Sequence, residues 1–170
     1  MVLLHMEDIG VLRQELIDSC GVDAARGFFT RMGYASGGRA AKLAMKVRKP
    51  DRNSFLDTLF TGAQLHALEG ITTTTLITGE ADPATGHLFG EFLWRSSFEA
   101  QLHLSSYGVC PHPACWLLAG YGSGFLSTCM GKRILVREVA YRAMGDDECR
   151  GIAKPLEAWN DEAAEDVKYL

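Results

Sequence analysis

The segment CPHPACWLLAGYGSGFLSTCMGKRILVREVAYRAMGDDECRGIAKP, residues 110–155, decides how this chain folds. Its first part is a proline-interrupted loop, which leads into an apolar, glycine-rich run that predicts a long helix over 113–130. A β-branched strand and an acidic turn follow, and together they predict a two-stranded ribbon over 133–153. The loop carries Cys115 at the helix start, and the turn carries Cys149.

These two cysteines, with Glu138 on the strand between them, are the ligand types that zinc takes. Their spacing is weak evidence, because neither cysteine belongs to a CxxC pair. Cysteine also packs as a small hydrophobic residue, and Glu138 is equally compatible with a solvated strand position. From spacing alone, packing in the core is favoured over metal binding.

The composition indicates one domain with its own core. The chain has 170 residues, 22% of them charged, and a net charge of −4. Its basic residues are scattered, which argues against direct nucleic-acid binding. Five cysteines in irregular positions, after a charged N-terminal stretch, favour a reducing cytoplasm. The longest apolar run, 115–130, is too short and glycine-rich to span a membrane.

The N-terminal third predicts helices. Apolar spacing defines the first, Gly21 ends it, and a glycine step at 36–38 predicts a break before the third. The sequence at 48–51 predicts a turn. The predicted helices are 6–20, one capped by Asp23, 39–47, and a short one from Asn53 or Ser54 to Phe60.

The middle of the chain predicts a hairpin, with strands at 71–78 and 87–94 around a loop at 80–86. A helix over 97–105 follows, and the acidic tail 156–170 predicts a linker helix. The resulting fold class is α+β: N-terminal helices packed on a mainly antiparallel sheet, with a long helix across it.

Several blocks of sequence carry a family resemblance. PACWLLAGYGSGF, MGKRILVREV and DDECRGIAKPLEAW resemble the zinc-containing part of the aromatic-sensing domains of phenol- and xylene-responsive sigma-54-dependent activators, the 4-vinyl-reductase-like domain family. The upstream blocks GVDAARGFFTRMGYASG, GAQLHALEG and FLWRSSFEAQLHLS are similar too. The resemblance runs in order along almost the whole chain, and it implies a zinc-braced lobe near the C-terminus.

The resemblance implies four zinc ligands, which fall on Cys115, Glu138, position 141 and Cys149. Position 141 is Tyr141, so one ligand is missing. Three outcomes are open: three protein ligands with water, a fourth ligand from Cys110 or His112, or no metal. Cys110 is the more attractive donor, since a loop five residues from Cys115 can fold back.

The resemblance also implies a buried pocket for a phenol. His66 and Trp94 match residues that hydrogen-bond the ligand hydroxyl, and Phe92 matches a wall residue. From the residues alone, a His or Trp in an apolar segment more often has a structural role. The other implied wall positions are Leu59, Leu76, Phe125 and Val136. Some relatives have tyrosine at the last of these positions, so valine implies a roomier, less polar pocket.

The expected function is therefore a cytoplasmic sensor domain, residues 1–155, that binds a small aromatic effector and has no catalytic residues. The resemblance implies a homodimer, and a linker at 156–170 leading to an ATPase domain that the effector derepresses, with DNA binding elsewhere in the full-length protein. No hydrolase or dinucleotide-binding motif occurs in the sequence. Two alternatives stay open: a reductase-type enzyme of the same domain family, and a non-catalytic dimerising adaptor whose pocket is filled.

Overall fold

The computed structural model describes residues 4–48 and 55–170. These residues form an α+β fold of helices around one antiparallel sheet, which confirms the predicted class. The α-helices are α1 (Met6–Cys20), α2 (Val22–Arg48), α3 (Phe55–Leu68), α4 (Phe98–Tyr107), α5 (Trp116–Met130) and α6 (Ala164–Val167). The strands are β1 (Thr73–Asp82), β2 (His87–Arg95), β3 (Ile134–Ala140) and β4 (Cys149–Pro155), and 3₁₀ segments occupy Arg142–Met144 and Leu156–Ala163.

The four strands are ordered β1-β2-β4-β3, and each neighbouring pair is antiparallel. The first hairpin therefore lies beside the ribbon of the last two strands, and β4 joins the two units. This pairing places Trp94 directly opposite Cys149. The long helix α5 packs on the sheet, so its inner face and the first hairpin border the same space.

The helix α2 is continuous, so the break predicted at 36–38 is wrong. Its glycines instead allow α5 to approach closely. A Cβ atom on Gly37 would lie 2.1 Å from the main-chain oxygen of Tyr121, and one on Gly124 would lie 2.0 Å from that of Tyr34. Because no side chain fits at these points, the glycines are explained by the contact between the two helices rather than by a turn.

Two other boundaries differ from expectation. The helix α3 continues past the predicted end at Phe60 and reaches Leu68, which places His66 on a helix. The helix α5 begins at Trp116 rather than at Pro113, because Cys115 adopts a non-helical conformation at its N-cap. The predicted turn beyond Arg48 and the predicted helix start at 53 or 54 lie outside the described residues.

A buried carboxylate fixes the start of α5. Glu99 accepts hydrogen bonds from the main-chain N–H groups of Leu117 (3.0 Å) and Leu118 (2.9 Å). Burial raises the pKa of Glu99 to about 7, and the partner guanidinium of Arg13, 3.1 Å away, opposes that shift. The same guanidinium lies 3.7 Å from the ring centroid of Trp116. The helix that lines the site is thereby held to both α4 and α1.

The acidic tail packs against the domain. Trp159 is buried, and its indole N–H donates to the main-chain oxygen of Leu135 at 3.1 Å. The carboxylate of Asp166 pairs with Arg26 of α2 and with Arg137 of β3. The predicted role of the tail as a connection to a downstream domain stays a prediction. Among the described residues, no helix is long and apolar enough to cross a membrane.

Candidate functional site

A cavity of about 460 Å³ lies between α3, α5 and the first hairpin. Most of its surface is apolar, as expected for a small-molecule site. The structure brings six of the seven predicted pocket residues together in its wall: Leu59, His66, Leu76, Phe92, Trp94 and Phe125. The adaptor alternative predicts a filled pocket, and this open cavity does not fit it.

His66 contributes the first polar group of the wall. It lies in the last turn of α3, is 4% exposed, and stacks on the ring of Tyr121 with centroids 3.6 Å apart. Burial lowers the pKa of His66 to about 4, so the imidazole is neutral at pH 7 and offers one donor and one acceptor. Within the described residues, neither ring nitrogen has a hydrogen-bond partner.

Trp94 contributes the second polar group. The alternation of side chains along β2 puts Trp94 on the same face as Phe92, and their ring centroids lie 5.3 Å apart. Trp94 is 4% exposed, and its indole N–H has no acceptor in the described part of the chain. A buried indole N–H normally finds a partner, so this group is available for a ligand.

Tyr121 is a wall residue that sequence reasoning missed. Its hydroxyl donates weakly to the main-chain oxygen of Gly62 (3.4 Å), and burial raises its pKa above the usual value. Gly62 also gives Phe125 room, because a Cβ atom there would lie 3.0 Å from that ring. Tyr121 and Phe125 are four residues apart on α5, so helical spacing alone places both on one face.

Val136 differs from its expected position. It is absent from the described cavity wall, and it packs against Gly122, where an added Cβ would lie 3.1 Å from Val136 Cγ2. Its main-chain N–H donates to the Ser123 hydroxyl at 2.8 Å, which holds β3 to α5. Because Gly122 does line the cavity, Val136 lies one layer behind the wall. The expectation that this valine enlarges the pocket by direct contact is therefore not supported.

The two predicted cysteines and Glu138 meet behind the cavity. One ligand atom from each of Cys115, Glu138 and Cys149 lies within 4.8 Å of the others, and all three residues are buried. The two Sγ atoms are 3.8 Å apart, so the thiols are free rather than bonded. Two sulfurs bound to one tetrahedral zinc at about 2.3 Å lie about 3.8 Å apart, so the spacing suits that ion.

The chemistry of Glu138 also fits a cation. Its Oε2 atom accepts from the main-chain N–H groups of Ala114 (3.1 Å) and Cys115 (3.0 Å). Its Oε1 atom is buried and has no partner among the described residues. Burial raises the pKa of Glu138 and that of the Cys115 thiol. An unpaired buried oxygen beside two thiols is costly unless a cation satisfies it.

The structure does not bring Cys110 or His112 into this group. The Cys110 thiol donates to the main-chain oxygen of His112 at 3.1 Å, and the Cys110 N–H donates to that of Ala143 at 2.7 Å. The main-chain N–H of Tyr141 is bonded to the carboxylate of Asp146 at 2.8 Å. Among the His, Cys, Asp and Glu residues described, the group therefore has three members.

The metal group and the cavity share two elements. Cys149 is the strand partner of Trp94, and Cys115 caps the helix that carries Tyr121 and Phe125. A change at the two thiols therefore acts directly on the backbone that positions the cavity wall.

Comparison with known proteins gives consistent matches. Residues 1–82 match the family described as "Activator of aromatic catabolism", and residues 94–155 match the 4-vinyl-reductase domain family. The chain is 35% identical over its full 170 residues to the phenol regulator MopR of Acinetobacter guillouiae, and it covers 30% of that protein. It is 36% identical over 161 residues (95% of the chain) to the transcriptional regulatory protein XylR of Pseudomonas putida, of which it covers 28%. The chain thus spans less than a third of either curated relative.

Solved structures agree. The crystal structure of the phenol-responsive sensory domain of the transcription activator PoxR with phenol is 43% identical, with a TM-score of 0.94, over 100% of this chain and 84% of that one. A trafficking protein particle complex subunit 3 from Naegleria fowleri, covalently bound to palmitic acid, is 16% identical with a TM-score of 0.58. That match covers 88% of this chain and 94% of the other, and it shows a shared fold alone.

Proposed function

This chain belongs to the family of aromatic-responsive transcription activators, whose sensory domain it matches, and we propose that it binds a small aromatic effector in the 460 Å³ cavity. The observation that carries the proposal is the pair of unsatisfied polar groups, His66 and Trp94, in an otherwise apolar wall. An apolar cavity supplies affinity, and a few polar groups supply orientation.

The two polar groups define the chemistry of the ligand. The Trp94 indole can only donate a hydrogen bond, while neutral His66 has a nitrogen that can accept one. A phenolic hydroxyl is both acceptor and donor, so it complements the pair. A carboxylate is disfavoured, because a His66 with a pKa near 4 brings no positive charge at pH 7.

The size of the cavity favours a ligand larger than one bare ring. An apolar cavity of about 150 Å³ is large enough to bind benzene. The cavity here is about 460 Å³. An alkyl-substituted phenol or a two-ring aromatic hydroxyl compound fills this space better than phenol itself does.

We also propose that Cys115, Glu138 and Cys149 hold a structural zinc ion. The ion would neutralise the buried thiolates and the carboxylate and would cross-link the strand of Trp94 to the start of α5. Such binding contributes directly to folding stability.

The remaining roles concern parts of the protein beyond this chain. We infer that residues 1–155 form the sensor and that 156–170 lead to further domains, since the curated relatives are more than three times longer. In this proposal an ATPase domain responds to the effector, DNA is bound elsewhere, and the cytoplasmic sensor forms a homodimer. The apolar residues exposed on α1 and α2, among them Val11, Phe28 and Val47, suit a dimer contact.

Isothermal titration calorimetry tests the proposal. We expect micromolar-class binding of at least one member of a panel containing phenol, cresols, xylenes and hydroxybiphenyls. Replacement of Trp94 by Phe removes the donor and is expected to weaken the phenols, whereas Trp159→Phe, in the docked tail, is the matched control and leaves binding unchanged. Absence of heat and of thermal stabilisation across the panel would argue against an aromatic sensor.

A further inference from the structure

The metal group lacks a fourth donor of the His, Cys, Asp or Glu type among the described residues, and we propose that the hydroxyl of Ser97 supplies it. This inference rests on the proposed zinc. It identifies the side chain that replaces the ligand expected at position 141, where this chain has Tyr141.

Ser97 lies where such a donor is needed. Its Oγ atom is 3.1 Å from the Sγ atom of Cys115, and the residue is 1% exposed. It caps α4 by accepting from the N–H of Ala100 at 3.3 Å, which is long for such a bond. A hydroxyl oxygen has two acceptor positions, so one remains for a metal ion.

Two neighbouring observations point to a ligand at this place. The Oε1 atom of Glu138, a residue 5% exposed, has no partner among the described residues, although it lies in the group that contains Cys115. Ser96, directly before Ser97, has φ of 54°, a left-handed conformation that is costly for a residue other than glycine. The surrounding structure holds this conformation, and it turns the next side chain into the buried group.

The other nearby donors are committed elsewhere. Cys110 donates its thiol hydrogen to a carbonyl in its own loop. Tyr141 belongs to the partly exposed segment after β3, where its N–H is held by Asp146. Ser97 is the fully buried oxygen donor that the structure describes in contact with a thiol of the group.

The chemical consequence is a site with two sulfur and two oxygen donors. A neutral hydroxyl in place of a third thiolate removes one negative charge and one soft ligand. Soft thiolates favour zinc, so this site is expected to bind zinc more weakly and to exchange it faster than one with three cysteines. Ser97 also follows Trp94 by three residues, so metal loading orders the segment that carries the proposed ligand-binding indole.

The test uses the whole 170-residue chain with Ser97→Ala, Ser97→Cys and, as control on the same helix, Ser105→Cys. Zinc content and affinity are measured by elemental analysis and chelator competition, and Co²⁺-loaded protein is examined by absorption spectroscopy. Ser97→Ala should weaken zinc binding by about 10- to 100-fold or more. Ser97→Cys should tighten zinc binding and raise the sulfur-to-cobalt absorption from that of two thiolates to that of three.

Circular dichroism establishes that each variant is folded, and Ser97→Cys gives an answer even where the alanine variant loses the helix cap. An unchanged cobalt spectrum in Ser97→Cys, with zinc affinity within about twofold of wild type, would overturn the assignment of Ser97 while leaving the zinc proposal intact. Absence of zinc and cobalt binding in the wild-type chain would instead remove the zinc proposal itself, and the Ser97 assignment with it.

Discussion

Replacement of His66 by Phe separates the hydrogen bond from the shape of the pocket. Phenylalanine keeps an aromatic ring against Tyr121, 3.6 Å away in the native pair, but it removes both ring nitrogens. A bound phenol then loses the acceptor for its hydroxyl hydrogen inside a cavity that water does not readily enter. A hydrocarbon of the same shape, such as toluene against a cresol, loses nothing.

The size of the effect follows from burial. His66 is 4% exposed, so a ligand hydroxyl left without a partner pays close to the full cost of an unsatisfied buried group. That cost is about 1–3 kcal/mol, which corresponds to roughly 5- to 150-fold in the dissociation constant. The preference for the phenol over the hydrocarbon should fall by the same factor.

The assay is calorimetric titration of wild type and His66→Phe with one phenol and its matched hydrocarbon at pH 7. His103→Leu is the control, because His103 is a buried histidine on α4 outside the cavity wall. The control should leave both affinities unchanged. Equal losses for the phenol and the hydrocarbon in His66→Phe would refute the hydrogen-bonding role and leave only a packing role.

Three further predictions concern pH, packing and metal. The pKa of His66 is about 4 in the folded state against an ordinary value of 6.5, so the unfolded chain binds more protons between these values and stability falls on acidification through this window. The loss approaches about 3 kcal/mol, and denaturant titrations of wild type and His66→Phe should show a weaker pH slope below about pH 6.5 in the variant; equal slopes would contradict the assignment. Gly124→Ala forces a Cβ atom to within 2.0 Å of a main-chain oxygen on α2 and should destabilise by at least about 1–3 kcal/mol, whereas Gly38→Ala, with its nearest contact a flexible side chain at 3.3 Å, should not; similar midpoints for both would disprove the close-contact explanation. A strong chelator should lower the melting temperature of wild type but not of Cys149→Ser, and the reverse or no effect would contradict a structural metal.

The architecture was largely readable from periodicity. The strand boundaries around Pro83 and Gly86, and the ribbon from Arg133 onward, follow from alternation and turn residues, which are local signals. The continuity of α2 was not readable, because the same glycines that end helices also allow two helices to touch. Only the position of α5, which is distant in sequence, decides between these meanings.

The candidate site divides in the same way. The resemblance selected His66, Trp94 and Phe125, and the structure places all three around one cavity. Tyr121 was overlooked because a tyrosine in a glycine-rich helix carries no distinctive pattern. Ser97 was invisible as a donor, since its closeness to Cys115 depends on how β4 lies beside β2 and on the unusual backbone of the preceding residue.

The most direct test of the central claim is a crystal structure of the chain with a bound alkylphenol. We predict the aromatic ring in the cavity between α3, α5 and the first hairpin, with its hydroxyl within hydrogen-bonding distance of His66 and of the Trp94 indole N–H. A cavity closed by the protein's own side chains, or a ligand bound elsewhere with both residues turned away from it, would contradict an aromatic sensor.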